Sequence, residues 1–289
     1  MTLPTHADGR PTQAGIGLRR PHDEELMATR PAVGFLELLA ENHMSGGPAA
    51  RRLEALRCDW PMSVHSVGLS LGSAPELDAV HLERLAELVA RTEPFAVSEH
   101  LSFASAGFYT NALLPLPYDA ESLAVLAGNI QRVQDRLRRR ILVENPSAYL
   151  RFRGPAMDEA EFLTELVRRT GCGILCDVNN IYVSTTNLGG DAWRWLHALP
   201  ADAVGEIHLA GHSAADTGPV PLLIDDHGSP VAAPVWKLYA HAVRRFPKAV
   251  TLIEWDTALP PLPVLLDEAR EADRRRSVAL QDYPDVAAA

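Results

Sequence analysis

Short apolar runs recur along the chain at residues 14–18, 33–38, 62–65, 95–100, 141–144, 173–177, 204–208 and 250–254. Runs this short, bounded by polar or turn-forming residues, suit strands buried on both faces, as in a parallel sheet covered by helices. Between them the apolar positions become periodic. Leu82, Leu85, Ala86 and Val89 keep the i, i+3, i+4, i+7 spacing of a helix with one buried face, as do Leu123, Leu126, Ala127, Ile130, Val133 and Leu137. Further helices are predicted over 24–29, 49–56, 192–199, 234–246 and 262–274, with Pro234 suited to a first turn. The helix over 158–170 opens with the capping pattern Asp158-x-x-Glu161 and stops at Gly171. Strand then helix, eight times over, predicts an α/β protein built as one eight-stranded parallel (β/α)8 TIM barrel. The expected boundaries are a polar leader over 1–14, a barrel over 15–276 and a frayed tail over 277–289.

Such a barrel builds its active site at the carboxyl ends of its strands. Six runs end there in His65, His100, Glu144, Asp177, His208 and Glu254. Two connecting segments, 102–118 and 211–233, are longer than a minimal barrel needs and read as functional loops. The second holds Asp225 and His227, which an extended backbone would point the same way. Glu144, Asp177, Asp225 and Glu254 together bring four negative charges, and burying them without cations costs several kcal/mol each. Imidazole with carboxylate suits iron, manganese or zinc. The cysteines stay out of this set: Cys176 faces away from Asp177 by strand alternation, Cys172 precedes that strand, and Cys58 lies at a helix end. Alternation also separates Glu99 from His100, so Glu99 is expected to support the ligands rather than join them. Glu206 shares a face with His208 one layer deeper, as a buried polar residue or a partner to the ligands. Asn179 and Asn180 read as turn residues, and His6, His43, His81, His197 and His241 as surface or interhelix residues, with His22 and His212 left open.

Composition narrows the function. With a net charge of −10, the chain gains nothing from phosphate attraction, so no nucleic-acid partner is expected. The basic cluster 136–140 sits at a helix end, where it complements the helix dipole. No run is long and apolar enough to cross a bilayer, no secretion signal is visible, and three cysteines suggest no disulfide framework. The expectation is a cytoplasmic protein with no membrane partner.

Several motifs, in order, resemble one family. They are Gly15-Ile16-Gly17-Leu18-Arg19, Val64-His65-Ser66-Val67-Gly68-Leu69-Ser70, Ser98-Glu99-His100-Leu101-Ser102, Leu114-Pro115-Leu116-Pro117-Tyr118, Glu144-Asn145-Pro146-Ser147, Asp177-Val178-Asn179-Asn180, Glu206-Ile207-His208-Leu209-Ala210-Gly211-His212, Asp225-Asp226-His227-Gly228 and Ile253-Glu254-Trp255-Asp256. Together they resemble the multinuclear non-haem iron-dependent oxidative enzymes over residues 15–269. The resemblance implies two or three iron ions in mixed Fe(II)/Fe(III) states, O2 as co-substrate, and oxidative modification of cysteine in a ribosomally made precursor peptide. It implies that His65, His100 and Glu144 hold one iron, and that Glu144 bridges to a second held by Asp177, His208 and Glu254. Asn180, rather than Asn179, would join Asp225 and His227 around a third, more labile iron. A small partner protein that recognises the precursor's leader is also implied, as are peptide contacts from Arg19, His212 and Tyr118. Two other readings share these residues: a divalent-metal isomerase or phosphoester hydrolase, and a non-catalytic peptide-binding chaperone on the same scaffold.

Overall fold

The structure is a computed structural model that describes residues 5, 9–74, 77–105, 108–154, 157–216, 218 and 221–281. The strands, in chain order, are β1 (Gly15–Gly17), β2 (Leu36–Leu39), β3 (Met62–His65), β4 (Ala96–His100), β5 (Phe103–Ser105), β6 (Tyr109–Leu114), β7 (Leu142–Glu144), β8 (Gly173–Asp177), β9 (Val204–Leu209), β10 (Ser213–Ala215), β11 (Leu222–Ile224) and β12 (Val250–Ile253). The helices are α1 (Asp23–Thr29), α2 (Pro48–Arg57), α3 (Ala79–Thr92), α4 (Ala120–Leu137), α5 (Glu159–Thr170), α6 (Val178–Leu188), α7 (Ala192–Ala198), α8 (Ala233–Arg245) and α9 (Leu262–Gln281). Eight strands close a barrel in the order β1-β12-β9-β8-β7-β4-β3-β2, every pair parallel. The remaining four form two antiparallel hairpins, β5-β6 and β10-β11.

Strand alternation divides the side chains into two cores. Outward residues such as Leu36, Val64, Val97, Val143, Ile174, Cys176 and Ile207 pack against the helices in one continuous apolar cluster. A smaller cluster of Phe35, Val250 and Leu252, with Phe95 packed edge-on to Phe35, closes the inside of the barrel at its amino-terminal end. The helices are stopped where the sequence directs. Asp158 and Glu161 form the reciprocal capping box, and Gly171 ends α5 in the left-handed conformation at φ 68°.

Four expectations need correction. The segment after Asp177 is no turn: Asn179 and Asn180 sit in the first turn of α6, because the Asp177 carboxylate accepts the Asn180 backbone N–H and caps the helix directly at the strand end. Both long loops contain hairpins. The final helix does not end at Arg274 or at the expected barrel boundary but continues to Gln281, held by the buried Arg276 donating to the Ala249 carbonyl. The rest of the expected tail, like His6, lies outside the described residues. His227 is not extended but left-handed at φ 47°, although its side chain still meets Asp225.

Most of the basic cluster 136–140 is engaged within the chain: Arg136 pairs with Glu83, Arg139 donates to the carbonyls of Pro94 and Phe95, and Arg140 to those of Cys172 and Ala203. Among the described residues, no helix is long and apolar enough to cross a membrane.

Candidate metal centre

Register stacks the inward side chains in layers above the apolar plug. Glu37 pairs across the sheet with Ser63, and Glu206 lies one inward step below His208. The Ser63 hydroxyl lies 3.2 Å from Glu37 Oε2 and 3.1 Å from Glu206 Oε2, tying this lower layer together. In the layer above, His100 pairs with Glu144, and His208 with both Asp177 and Leu252. Glu254 follows β12 and donates its backbone N–H to Leu209, which carries its carboxylate to the same level.

Four groups of three side chains bring ligand atoms within 4.8 Å of one another: His65 with His100 and Glu144; Glu144 with Asp177 and His208; Asp177 with His227 and Glu254; and Glu37 with Glu206 and His208. Glu144 Oε2 lies 3.3 Å from His65 Nε2 and 3.5 Å from His100 Nε2. Asp225 Oδ1 is 2.6 Å from His227 Nε2, and Glu254 Oε2 is 3.3 Å from His227 Nδ1. Asn180 sits between, its amide 3.4 Å from Glu144 Oε1 and its carbonyl oxygen unpaired.

A second set of contacts fixes the rings. Ser98 Oγ meets His65 Nδ1 at 2.8 Å, leaving Nε2 toward Glu144, and Glu99 lies 3.5 Å from His100 Nδ1. Glu99 also accepts the backbone N–H groups of Leu69 and His100, so it supports the ligands as its place in the alternation implies. His208 has a carboxylate on either side, Glu254 Oε2 at 3.1 Å from Nδ1 and Glu37 Oε2 at 3.3 Å from Nε2. Asp256 lies 3.3 Å from His227 Nδ1 and is itself gripped by Arg19. The close approach of Gly211 to the Ser229 carbonyl, where a Cβ would stand 2.0 Å from the oxygen, holds the loop carrying Asp225 and His227 against the end of β9.

Burial opposes charge on the carboxylates and imidazoles gathered here. Burial pushes Glu144 up to about 7 against the pull of His100 and His208, raises Asp177 well above the carboxylate range with help from Glu144, and brings Glu206 to about 8 beside Glu37. Burial acts against charge on His100 too, yet Glu144 and Glu99 raise it to about 9. His65, buried beside His100 and His208, is held well below the imidazole range. Buried polar atoms are normally paired. Here Glu37 Oε1, Asp177 Oδ2, Asn180 Oδ1 and Glu206 Oε1 lack a hydrogen-bond partner, and Glu144 Oε2, His208 Nε2 and His227 Nε2 have only the carboxylate–imidazole contacts given above. Hard oxygen and imidazole donors left unsatisfied in this way fit divalent metal ions.

The structure therefore gathers all nine expected ligands around one mouth. Of the expected peptide contacts, Arg19 is buried in its ion pair with Asp256, and His212 bonds Asn179, which in turn donates to Asp225. Tyr118 lies elsewhere, in a second cavity, because its hydroxyl donates to Glu159 at 2.7 Å. Glu37 was missed. Its signal was a lone carboxylate inside the apolar run Phe35-Leu36-Glu37-Leu38, where alternation turns it inward. The mouth opens into a cavity of about 610 Å³ lined by His65, His100, Glu144, Asn180, His227 and Glu254, with Val67, Leu114, Pro115 and Leu150 among its apolar walls.

The model of the family described as RiPP precursor modification enzyme MbnB/TglH/ChrH matches residues 13–277. A UPF0276 protein of Chromobacterium violaceum is 48% identical over 263 residues, covering 91% of this chain and 94% of its own. Another from Caulobacter vibrioides is 47% identical over 269 residues, covering 92% and 94%. Among solved structures, a D-psicose 3-epimerase aligns with a TM-score of 0.56 at 15% identity, over 95% of this chain and 99% of that one. An L-ribulose 3-epimerase aligns at 0.58 and 14% identity, over 96% and 98%. At such identities the likeness to the epimerases is one of fold alone.

Proposed function

The chain belongs to the MbnB/TglH/ChrH family of RiPP precursor modification enzymes, and from that premise we propose that it oxidises cysteine residues of a ribosomally made precursor peptide, using iron and O2. The observation that carries this reading is the convergence of His65, His100, Glu144, Asp177, His208 and Glu254 in overlapping threes that share Glu144 and Asp177, with Glu144 Oε2, Asp177 Oδ2 and His208 Nε2 lacking a well-formed hydrogen bond. His65, His100 and Glu144 would hold one iron, Glu144, Asp177, His208 and Glu254 would serve a second, and Asn180, Asp225 and His227 would provide for a third. Iron bound there supplies affinity for a substrate thiolate and one-electron chemistry toward O2, the oxidant for removal of hydrogen from the cysteine side chain.

The chain's own contribution is orientation and exclusion of water. Ser98, Glu99, Glu37 and Asp256 each stand against a ring nitrogen of a ligand histidine, fixing which nitrogen faces the metals. Asn145 clasps Asp177 by its backbone, accepting its N–H and donating to its carbonyl at 3.0 Å each, so the carboxylate enters at a fixed angle. The apolar wall of Val67, Leu114, Pro115 and Leu150 lets a peptide segment enter while limiting water at the reacting side chain. Peptide binding is shared with a small protein that recognises the precursor's leader.

Metal analysis with an oxygen electrode tests the reading. Bound iron and cysteine-peptide-dependent O2 uptake are expected. Tightly held zinc or manganese with anaerobic turnover of a sugar or phosphoester would replace it with the isomerase or hydrolase alternative, and peptide binding without any mass change would favour the chaperone.

A further inference from the structure

Beside the mouth lies a second cavity of about 690 Å³, walled by Leu116, Tyr118, Phe152, Ile181, Leu188 and Trp195. Its volume falls within the roughly 300–1,000 Å³ of ordinary ligand pockets. It adjoins the cavity at the mouth, with Pro115 and Leu150 lining both. Its lining also includes Arg151, Asp158, Glu161, Asp191 and Arg194, while its buried acid is paired within the cavity wall. The Glu159 carboxylate accepts the Tyr118 hydroxyl at 2.7 Å and the Trp195 indole N–H at 3.1 Å, so both rings offer apolar surface to the groove. At the junction, the loop between β7 and α5 leaves Tyr149, Leu150 and Phe152 exposed to 43%, 50% and 40%. Three large apolar side chains within four residues of a loop carry a standing hydration cost, which a ligand covering them would remove.

We propose that this groove binds the stretch of precursor peptide flanking the residue under modification, and that it selects an aromatic or aliphatic side chain at a set distance from the cysteine. This rests on the reading of the chain as a peptide-modifying enzyme. A peptide whose cysteine sits among His65, His100 and Glu144 must leave the mouth over some part of its rim. At Pro115 and Leu150 the rim adjoins the second cavity, whose walls include the large apolar side chains named above. The groove is formed by the start of α5, by α6 and α7, and by the segments before α4 and α5, all outside the ligand set apart from Asn180, so it adds recognition without touching the metal chemistry.

The test uses the iron-loaded protein, kept anaerobic, and a library of peptides with one fixed cysteine and randomised flanks; retained peptides are sequenced by mass spectrometry. The wild type should enrich Phe, Trp, Leu or Ile by about 10-fold at one offset from the cysteine, as burial of one such side chain allows. Phe152→Asp and Leu188→Asp should each abolish that enrichment while cysteine-dependent retention persists. Cysteine-dependent retention with no preferred apolar offset overturns the groove, as does a preference that survives both substitutions. An apolar preference that the variants abolish, but that is indifferent to replacing the cysteine by serine, supports the groove and defeats the cysteine chemistry. Retention of no peptide defeats both.

Discussion

Glu144→Gln separates what a metal does for this site from what the polypeptide does alone. The substitution keeps the side-chain volume and the acceptor for Asn180, and it removes one negative charge from a cavity that also buries Asp177, Glu254 and Glu37. Without metal, that charge is a liability. The Glu144 carboxyl moves from an ordinary 4.5 to about 7 on folding. The folded protein therefore holds a proton that the unfolded chain has released, and stability falls as pH rises from 4.5 to about 7. The full deficit, present above pH 7, is roughly 3 kcal/mol. Metal-free Glu144→Gln at pH 8 should accordingly melt higher than metal-free wild type, by on the order of 5 °C. With metal the order reverses. Glu144 is shared by two of the ligand groups, so its loss should lower affinity by more than the roughly 10–100-fold typical of a residue that only supports a ligand. Wild type should then gain melting temperature on anaerobic addition of Fe(II), and the variant should gain almost nothing. Calorimetry with and without Fe(II), paired with elemental analysis, reads both effects. A variant that melts lower without metal, yet keeps the wild-type gain on adding iron, would show that Glu144 is a structural acceptor and would refute the bridging assignment.

Other perturbations probe the supporting contacts. Glu37→Gln leaves an acceptor for Ser63 but weakens the hold on His208 Nε2; a chelator competition should show iron affinity reduced about 10–100-fold with the melting temperature of the metal-free protein maintained or raised. His227→Ala should remove part of the iron and leave the remainder, because neither the His65-His100-Glu144 group nor the Glu144-Asp177-His208 group includes it; complete loss by elemental analysis would contradict the division of the site. Burial raises the Glu159 carboxyl to about 7 despite its hydrogen bonds to Tyr118 and Trp195, so its cost to stability appears as pH rises from 4.5 toward 7 and is absent below 4.5. Glu159→Gln should be more stable than wild type at pH 8, with the advantage shrinking toward pH 5 in urea titrations.

The barrel was legible because its strands are short, apolar and separated by helices with clean periodicity: β3 and β8 match the expected runs at both ends, and α5 carries its capping box in the sequence itself. What escaped notice had no local signal. Helix α6 reads Val-Asn-Asn-Ile-Tyr-Val-Ser-Thr-Thr-Asn-Leu, rich in residues of poor helix propensity. It forms because Asp177 caps it and because its first turn is buried on all sides, with Val178, Ile181 and Val183 among the buried residues. The hairpins fail for a related reason, since β5, β10 and β11, at three residues each, carry too few alternations to separate them from loop.

Glu37 shows a different limit. Strand alternation alone would have turned it inward, but a single carboxylate on one strand says nothing about Ser63 and Glu206 until the register of β2 against β3, and of β8 against β9, is known. Once that register is fixed, the lower layer explains a property of the upper one. His208 is flanked by Glu254 on Nδ1 and Glu37 on Nε2, so whichever nitrogen meets a metal, the other has a carboxylate to fix the ring and raise its basicity. A lower layer of apolar residues would pack at less cost, given that burial lifts Glu206 to about 8. Retaining two carboxylates and a serine there makes physical sense if the site is built around cations, whose field extends one layer down and offsets the charge that Glu37 and Glu206 bring.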